Sequence, residues 1–305
     1  MHTASDVLAD LPPGLTTRPV RADEVAVVTA LFAAEELADL GVVMTEEADL
    51  LSDWARSEFD ITAHTLGVYD GDRLIAYAEW SGSERAEVAV LPAYHGRGIG
   101  TALERWLRIT AAATGARVLR MPTPEGSPGD RLLAARGWSV GWMSWMLTFP
   151  AERAVPERPL PAGYDLRIAT PEDREAIWTV IEDAFLEWWD RPRETLEDFA
   201  TLAWERPGFQ PWQLRVVTES AGAVVGAVIL HLSGDCAFVA KLGVRPEHRN
   251  RGLAQALLAD AFRAGREHGA TRSELGTDTR TGALGLYERL GMEVTHTWVS
   301  RMIEV

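Results

Sequence analysis

The sequence predicts an α/β protein made of two tandem domains, each a mixed sheet flanked by helices. Three observations carry this. The first is an internal repeat. Val90-Leu-Pro-Ala-Tyr-His-Gly-Arg-Gly-Ile-Gly100 matches Val244-Arg-Pro-Glu-His-Arg-Asn-Arg-Gly-Leu-Ala254. Val90 and Val244, Pro92 and Pro246, Gly98 and Gly252, Gly115 and Gly269, and Gly137 and Gly291 all lie 154 residues apart. Nearer the start, Leu11-Pro-Pro-Gly14 matches Leu160-Pro-Ala-Gly163 at a spacing of 149, so one loop has changed length. A repeat of this size duplicates a whole domain rather than a solenoid unit. The second observation is length: 305 residues suit two ordinary domains. The third is that strand-like and helix-like patterns alternate within each copy, with enough apolar residues for two cores.

The first copy reads in order as follows. Leu15 to Arg18 is a short strand. A helix runs from Asp23 to about Leu40, where Gly41 stops it. Another helix starts at Thr45 and runs through Arg56. His64 to Tyr69 and Leu74 to Trp80 form a hairpin over Asp70-Gly71. Glu87 to Val90 is a strand, Ile99 opens a long helix, and Val118 to Met121 is the next strand. Arg131 to Arg136 is a short helix, and Trp142 to Phe149 closes the domain as a strand. Four prolines between Pro150 and Pro161 mark a semi-extended linker.

The second copy repeats the order. Tyr164 to Ile168 is a strand. Helices cover Pro171 to Phe185 and Leu196 to Trp204. Leu214 to Glu219 and Val224 to Leu232 form a hairpin. Phe238 to Val244 is a strand and a helix ends near His268. Ser273 to Thr277 is a strand, Ala283 to Leu290 a short helix, and Thr295 to Ile303 the last strand. The expected division is therefore 1–150, a linker at 151–161, and 162–305.

The formal net charge is −15, which argues against nucleic acid as the main partner, since that needs a basic surface. No apolar run approaches the ~20 residues that cross a bilayer, so no membrane partner is expected. Met1 to Asp10 is acidic and lacks the basic n-region of a signal peptide. Cys236 is the single cysteine, so no intrachain disulfide can form. Together these predict a cytoplasmic protein, with Cys236 a small strand residue rather than a nucleophile. No metal site is expected.

The repeated stretch is the candidate site. Pro246 ends the strand because it cannot donate to a ladder. A basic, glycine-bearing turn follows, and then Leu253, Leu257, Ala261 and Phe262 recur at helical spacing. A loop of this kind leaves backbone N–H groups at a helix N-terminus, a site suited to a phosphate or pyrophosphate. Gly252 permits close approach of the backbone, and Arg249 and Arg251 add charge suited to phosphate oxygens. In the first copy His95 replaces the leading arginine, while Gly96, Gly98 and Gly100 keep the cradle.

The order Val-x-Pro-x-x-Arg-x-x-Gly-x-Ala, a long helix, a strand, then Ala283-Leu-Gly-Leu-Tyr-Glu-Arg-Leu-Gly-Met292 resembles the GCN5-related N-acetyltransferase (GNAT) superfamily. The likeness covers essentially the whole chain, as two tandem GNAT-like acyl-CoA N-acyltransferase domains. Rival phosphate-binding patterns, Gly-x-Gly-x-x-Gly and the Gly-Lys-Ser/Thr end of a P-loop, are absent. The resemblance implies acetyl-CoA as co-substrate. It places the pyrophosphate on Arg249, Asn250, Arg251, Gly252, Leu253 and Ala254, and the pantetheine arm along Leu242, Gly243 and Val244. In the first copy the corresponding residues are Val90, His95, Gly96, Arg97, Gly98, Ile99 and Gly100. The resemblance also makes the Val244 N–H a candidate to polarise the thioester carbonyl, and Tyr287 the general acid for the departing thiolate. Family members often carry an asparagine just before this last helix; here Thr279 and Arg280 stand there.

Aligning Gly137 with Gly291 puts Leu133 where Tyr287 sits. The first copy is therefore expected to be non-catalytic, with or without bound CoA. The two-copy layout is similar to that of tandem family members that acetylate a cysteinyl amino sugar. For the proton of the attacking amine, Glu274, Asp278, Glu219 and Asp235 are all open candidates. The acceptor region implied by the family runs from Phe185 through Trp204 and Trp212, and mixes aromatics with Glu182, Asp183, Glu187 and Asp190. Such a mixture favours a cation. The expected activity is acetyl transfer to the primary amine of a small molecule. The rival reading is a non-catalytic acyl-CoA sensor, against which Tyr287 argues.

Overall fold

The computed structural model describes residues 11–82, 84–188 and 191–305. Met1 to Asp10, read above for targeting, lie outside the described residues, as do Trp189 and Asp190. The strands are β1 (Leu15–Arg18), β2 (Thr65–Asp70), β3 (Arg73–Trp80), β4 (Ala86–Val90), β5 (Val118–Pro124), β6 (Ser139–Phe149), β7 (Tyr164–Ile168), β8 (Leu214–Glu219), β9 (Val224–Ser233), β10 (Cys236–Val244), β11 (Arg272–Asp278) and β12 (Glu293–Glu304). The helices are α1 (Val25–Asp39), α2 (Glu47–Trp54), α3 (Ile61–His64), α4 (Ile99–Ala113), α5 (Pro128–Ala135), α6 (Arg174–Leu186), α7 (Leu196–Leu202), α8 (Leu253–Glu267) and α9 (Leu284–Leu290). The expected order is thus present, apart from the short α3, which the pattern did not announce.

Two compact units result: residues up to Met143 together with Thr297–Val305, and Ser144–His296. These differ from the expected 1–150 and 162–305, and the proline-rich stretch at 151–161 belongs to the second unit. The reason is an exchange of closing strands. The last residues of β6, Ser144–Phe149, pair antiparallel with β11 of the second unit. The last residues of β12, Trp298–Glu304, pair antiparallel with β5 of the first. Each copy therefore receives its final strand from the other copy's stretch of chain. Both strands have apolar patterns that either partner satisfies, so pattern alone could not choose.

In the first unit β1-β2-β3-β4 form an antiparallel sheet. One face carries α1, whose Val28, Leu31 and Phe32 pack with Tyr77 and Ala89. The other carries α4, with Ile99, Leu103, Trp106 and Leu107 against Ile75, Val90 and Leu119. In the second unit Ile177, Val180 and Ile181 of α6 join Val216, Ala227 and Ile229. Leu253, Leu257, Ala261 and Phe262 of α8 join Val217, Val228 and Val239 on the opposite face. The two helix starts are built alike. Arg18 grips Glu24 with two bonds of 2.7 Å, and Arg167 grips Asp173 at 2.6 and 2.9 Å. These pairs lie 149 residues apart and fix the equivalence of α1 and α6.

What positions the site is a divergence of two parallel strands. β10 and β11 pair only from Cys236–Val239 with Arg272–Leu275. The register of β10 against β9 then shifts between Val239 and Lys241. Beyond that bulge, β10 follows β9 while Gly276–Asp278 of β11 follow β6. A bulge bends its strand and re-aims the chain, and here it opens a V. The first unit has a corresponding V: among the described residues an isolated parallel bridge joins Arg85, just before β4, to Arg120 of β5.

Candidate active site

The V of the second unit ends on the loop that sequence analysis singled out. Its turn needs two left-handed residues, Asn250 at φ +60° and Gly252 at +83°. Gly96 and Gly98 take the same conformation in the first unit, at +73° and +83°. Asparagine is among the few side chains that tolerate this region, which is why Asn250 can stand in for glycine. Gly252 and Gly98 are the N-caps of α8 and α4, and neither helix start has a side-chain cap. The first N–H groups of both helices are therefore left to an external acceptor.

The Arg245 N–H bonds to the Val225 carbonyl of β9. Successive N–H groups of a strand point to opposite edges, so that of Val244 faces the open V. The Val244 carbonyl accepts from Arg249 Nε at 2.9 Å. Leu242 and Gly243 lie beside it on the same strand. A side chain at Gly243 would strike α6, since a Cβ there would sit 3.1 Å from the Val180 carbonyl oxygen. Glycine is required here for close helix packing.

The arginines of the loop have partners within the chain. Arg249 spans the Glu187 carboxylate at 2.5 and 2.6 Å. Arg251 donates to the Tyr164 hydroxyl at 2.9 Å and to the Glu247 carbonyl at 3.2 Å. The anion-binding capacity of this loop thus rests first on backbone N–H groups, with the side chains already engaged.

Tyr287 lies on α9, half-buried against the second core. Thr281 starts this segment, accepting from the Ala283 N–H at 3.1 Å. The Tyr287 hydroxyl has no hydrogen-bond partner among the described residues, and desolvation alone pushes it up to about 12. It is protonated at neutral pH, as a general acid must be. Its counterpart by sequence alignment, Leu133, is buried and lines the V of the first unit.

Of the four carboxylates considered for the amine proton, Asp278 stands at the open end of the V. Arg280 holds it through Nε at 3.1 Å and a second nitrogen at 2.5 Å. Glu274 lies opposite Phe238, where β10 and β11 are still paired. Asp235 precedes that paired end and bonds Thr271 and Arg272. Glu219 sits at the β8–β9 turn.

The expected cation box of carboxylates and aromatics is not available to a ligand in that form. Glu182 is fully buried and bound by Arg191 at 2.7 and 2.9 Å. Asp183 pairs with Arg193, and Glu187 with Arg249. Lys241 Nζ lies 5.4 Å from the Phe185 ring centroid and 5.0 Å from that of Phe199, and 3.2 Å from Glu194. The cation that this mixture favours is supplied by the chain itself. Trp204 and Trp212 are buried in cores.

The V of the first unit holds a cavity of about 470 Å³, lined by Val88, Val90, His95, Gly98, Met121 and Leu133 among others. Here His95 Nε2 contacts the Val90 carbonyl at 2.8 Å, repeating the bond of Arg249. One residue went unnoticed in the sequence. Glu35 of α1 lines the cavity and accepts from the Val90 N–H at 3.2 Å. Burial pushes its carboxyl up to about 8. The signal was available: position 35 continues the apolar stripe of Val28, Leu31 and Phe32, where a carboxylate is out of place.

A sheet split into a V, with an uncapped helix start at its mouth, offers an anion site beside an open strand edge, and likeness to known proteins makes the chain an acetyl-CoA-dependent N-acetyltransferase. The chain belongs to the acetyltransferase (GNAT) family, whose model matches residues 28–128 and again 175–292. It is 32% identical over 288 residues to a mycothiol acetyltransferase of Thermobispora bispora, covering 90% of this chain and 94% of that one. In structure it is similar to a GCN5-related N-acetyltransferase of Sphaerobacter thermophilus, with a TM-score of 0.77, 24% identity, and 96% of each chain covered. A tandem GNAT protein from the clavulanic acid biosynthesis pathway gives a TM-score of 0.72 at 20% identity, covering 95% of this chain and 98% of that one. These two structural likenesses concern the fold.

Proposed function

We propose that the second unit transfers the acetyl group of acetyl-CoA to the primary amine of a small molecule by direct attack. The observation that carries this is the open V of β10 and β11, with an outward Val244 N–H and the unbonded hydroxyl of Tyr287. The uncapped start of α8, from Gly252 to Ala254, binds the pyrophosphate. The free edge of Leu242 to Val244 pairs with the pantetheine arm. The Val244 N–H donates to the carbonyl oxygen as it gains charge, an effect worth about 3 kcal/mol where such donors have been removed. The amine nitrogen forms the new C–N bond and the C–S bond breaks. Tyr287 gives its proton to the departing sulfur. Asp278, directly or through water, takes the proton released by the amine. The first unit carries no counterpart of Tyr287 and does no transfer.

The acceptor class is drawn from the relatives. A mycothiol acetyltransferase covering most of this chain favours an acceptor of the cysteinyl amino-sugar type. Thiol release from acetyl-CoA, measured over a panel of primary amines that includes such sugars, tests the whole reading. Amine-dependent release is expected from the parent and none from Gly252→Asp, which puts a carboxylate where a phosphate must sit. Release without amine dependence, or full release by the folded variant, overturns it.

A further inference from the structure

The two units differ at one place in the V that the reading above does not use. By the equivalence of the Arg18–Glu24 and Arg167–Asp173 clamps, Glu35 of α1 stands where α6 carries Ala184. Packing agrees, because a Cβ at Gly243 of β10 would lie 3.4 Å from the Ala184 Cβ. The position faces the end of the cofactor strand in both units. In the second, a methyl group there leaves the Val244 N–H open. In the first, the Glu35 carboxyl takes the equivalent Val90 N–H at 3.2 Å. The Val90 carbonyl is met by His95 Nε2 at 2.8 Å. Both polar groups of Val90 are therefore engaged, although the loop and its left-handed glycines are intact.

We propose that Glu35 sets the specificity of the first unit by occupying the hydrogen-bonding position of the thioester arm. The cavity then takes a coenzyme A-type nucleotide through its loop and holds the acyl end poorly. This rests on the reading that these loops receive coenzyme A esters. It adds a reason for silence in the first unit that is separate from the missing tyrosine.

The charged groups around Glu35 are Glu36 and Asp39 on its own helix and His95 on the loop, with Nε2 at 3.9 Å; Arg131 on α5, which acts on Asp39, and Glu104 on α4 line the same cavity. Glu104 is itself held by Arg136 and Trp138. Desolvation is the largest influence on Glu35 and keeps it neutral below about pH 8. Above that it becomes a carboxylate, a stronger acceptor for the Val90 N–H. Exclusion of the arm should therefore tighten as pH rises from 7 to 9.

The test is binding of acetyl-CoA by calorimetry to the full chain carrying Gly252→Asp, so that only the first unit can respond. Adding Glu35→Ala, which copies the second unit, should strengthen binding by roughly tenfold at pH 7, the value of one freed backbone hydrogen bond. It should also abolish the weakening between pH 7 and 9. Glu35→Gln keeps an acceptor for Val90, so binding should remain weak while its pH dependence disappears. Equal affinity with and without Glu35→Ala, or no binding in either, overturns the proposal. So does a parent-like pH profile in Glu35→Gln. None of these readouts needs turnover, so loss of the transferase reading would show separately as absent amine-dependent thiol release.

Discussion

At the scale of single residues, the proposed division of labour rests on Tyr287, where the first unit has Leu133. Tyr287→Phe keeps the ring in the core and removes only the hydroxyl. General acid catalysis typically contributes 10²–10⁴-fold, so turnover should fall by about that factor while acetyl-CoA affinity changes little. Stability should move by no more than about 1 kcal/mol, because the hydroxyl makes no bond to the described residues. A stable variant that binds acetyl-CoA and works at the parent rate removes Tyr287 from the mechanism. The pH sign is also set. A tyrosine raised to about 12 stays protonated up to nearly that pH, so any alkaline loss of activity between pH 8 and 10 must persist in a slow Tyr287→Phe enzyme. Tyr287 stands out in the sequence because a short motif surrounds it. Glu35 shows in the sequence only as a carboxylate on an apolar stripe; what it does there depends on a hydrogen bond to a residue 55 positions away.

At the scale of elements, the helices and strands follow from periodicity, and the deviations sit where hydrogen bonds override it. The short α5 begins at Pro128, not at Arg131, because Ser127 caps it by accepting from the Asp130 N–H. The V opens at the bulge between Val239 and Lys241, which no apolar pattern displays. The start of α6 supports a prediction of its own. The bond from Arg167 holds the Asp173 carboxyl at about 2, below its ordinary value. Its contribution to stability is present above about pH 4, and is lost as pH falls through 2. Asp173→Asn should cost about 1–3 kcal/mol at pH 7, the range for a charged hydrogen bond. In thermal melts that cost should shrink steadily below pH 4. A deficit that is constant with pH would show the clamp to be steric only. Glu24, also held near 2 by Arg18, predicts the same for the first unit.

At the scale of the molecule, composition and repeat announced two copies, but not which strand closes which. Deleting Thr297–Val305 tests the exchange directly. A chain cut along simple tandem lines would lose order only in its second copy. Here the first unit should lose protection, because Val118–Pro124 then loses its partner Trp298–Glu304. Hydrogen exchange at Val118–Pro124 rising to the rate of an unpaired strand is expected, and unchanged protection there would contradict the exchange. For the same reason the fragments 1–150 and 151–305, expressed apart, should each be poorly folded, and mixing them should recover the fold. There is a temporal side to this arrangement. A growing polypeptide emerges from its N-terminus, at about 5–20 residues per second. The edge of β5 therefore waits roughly ten seconds or longer on the ribosome before its partner strand exists. The half that is translated first is the half that is finished last, and its bare edge is where a chaperone would be needed during that interval.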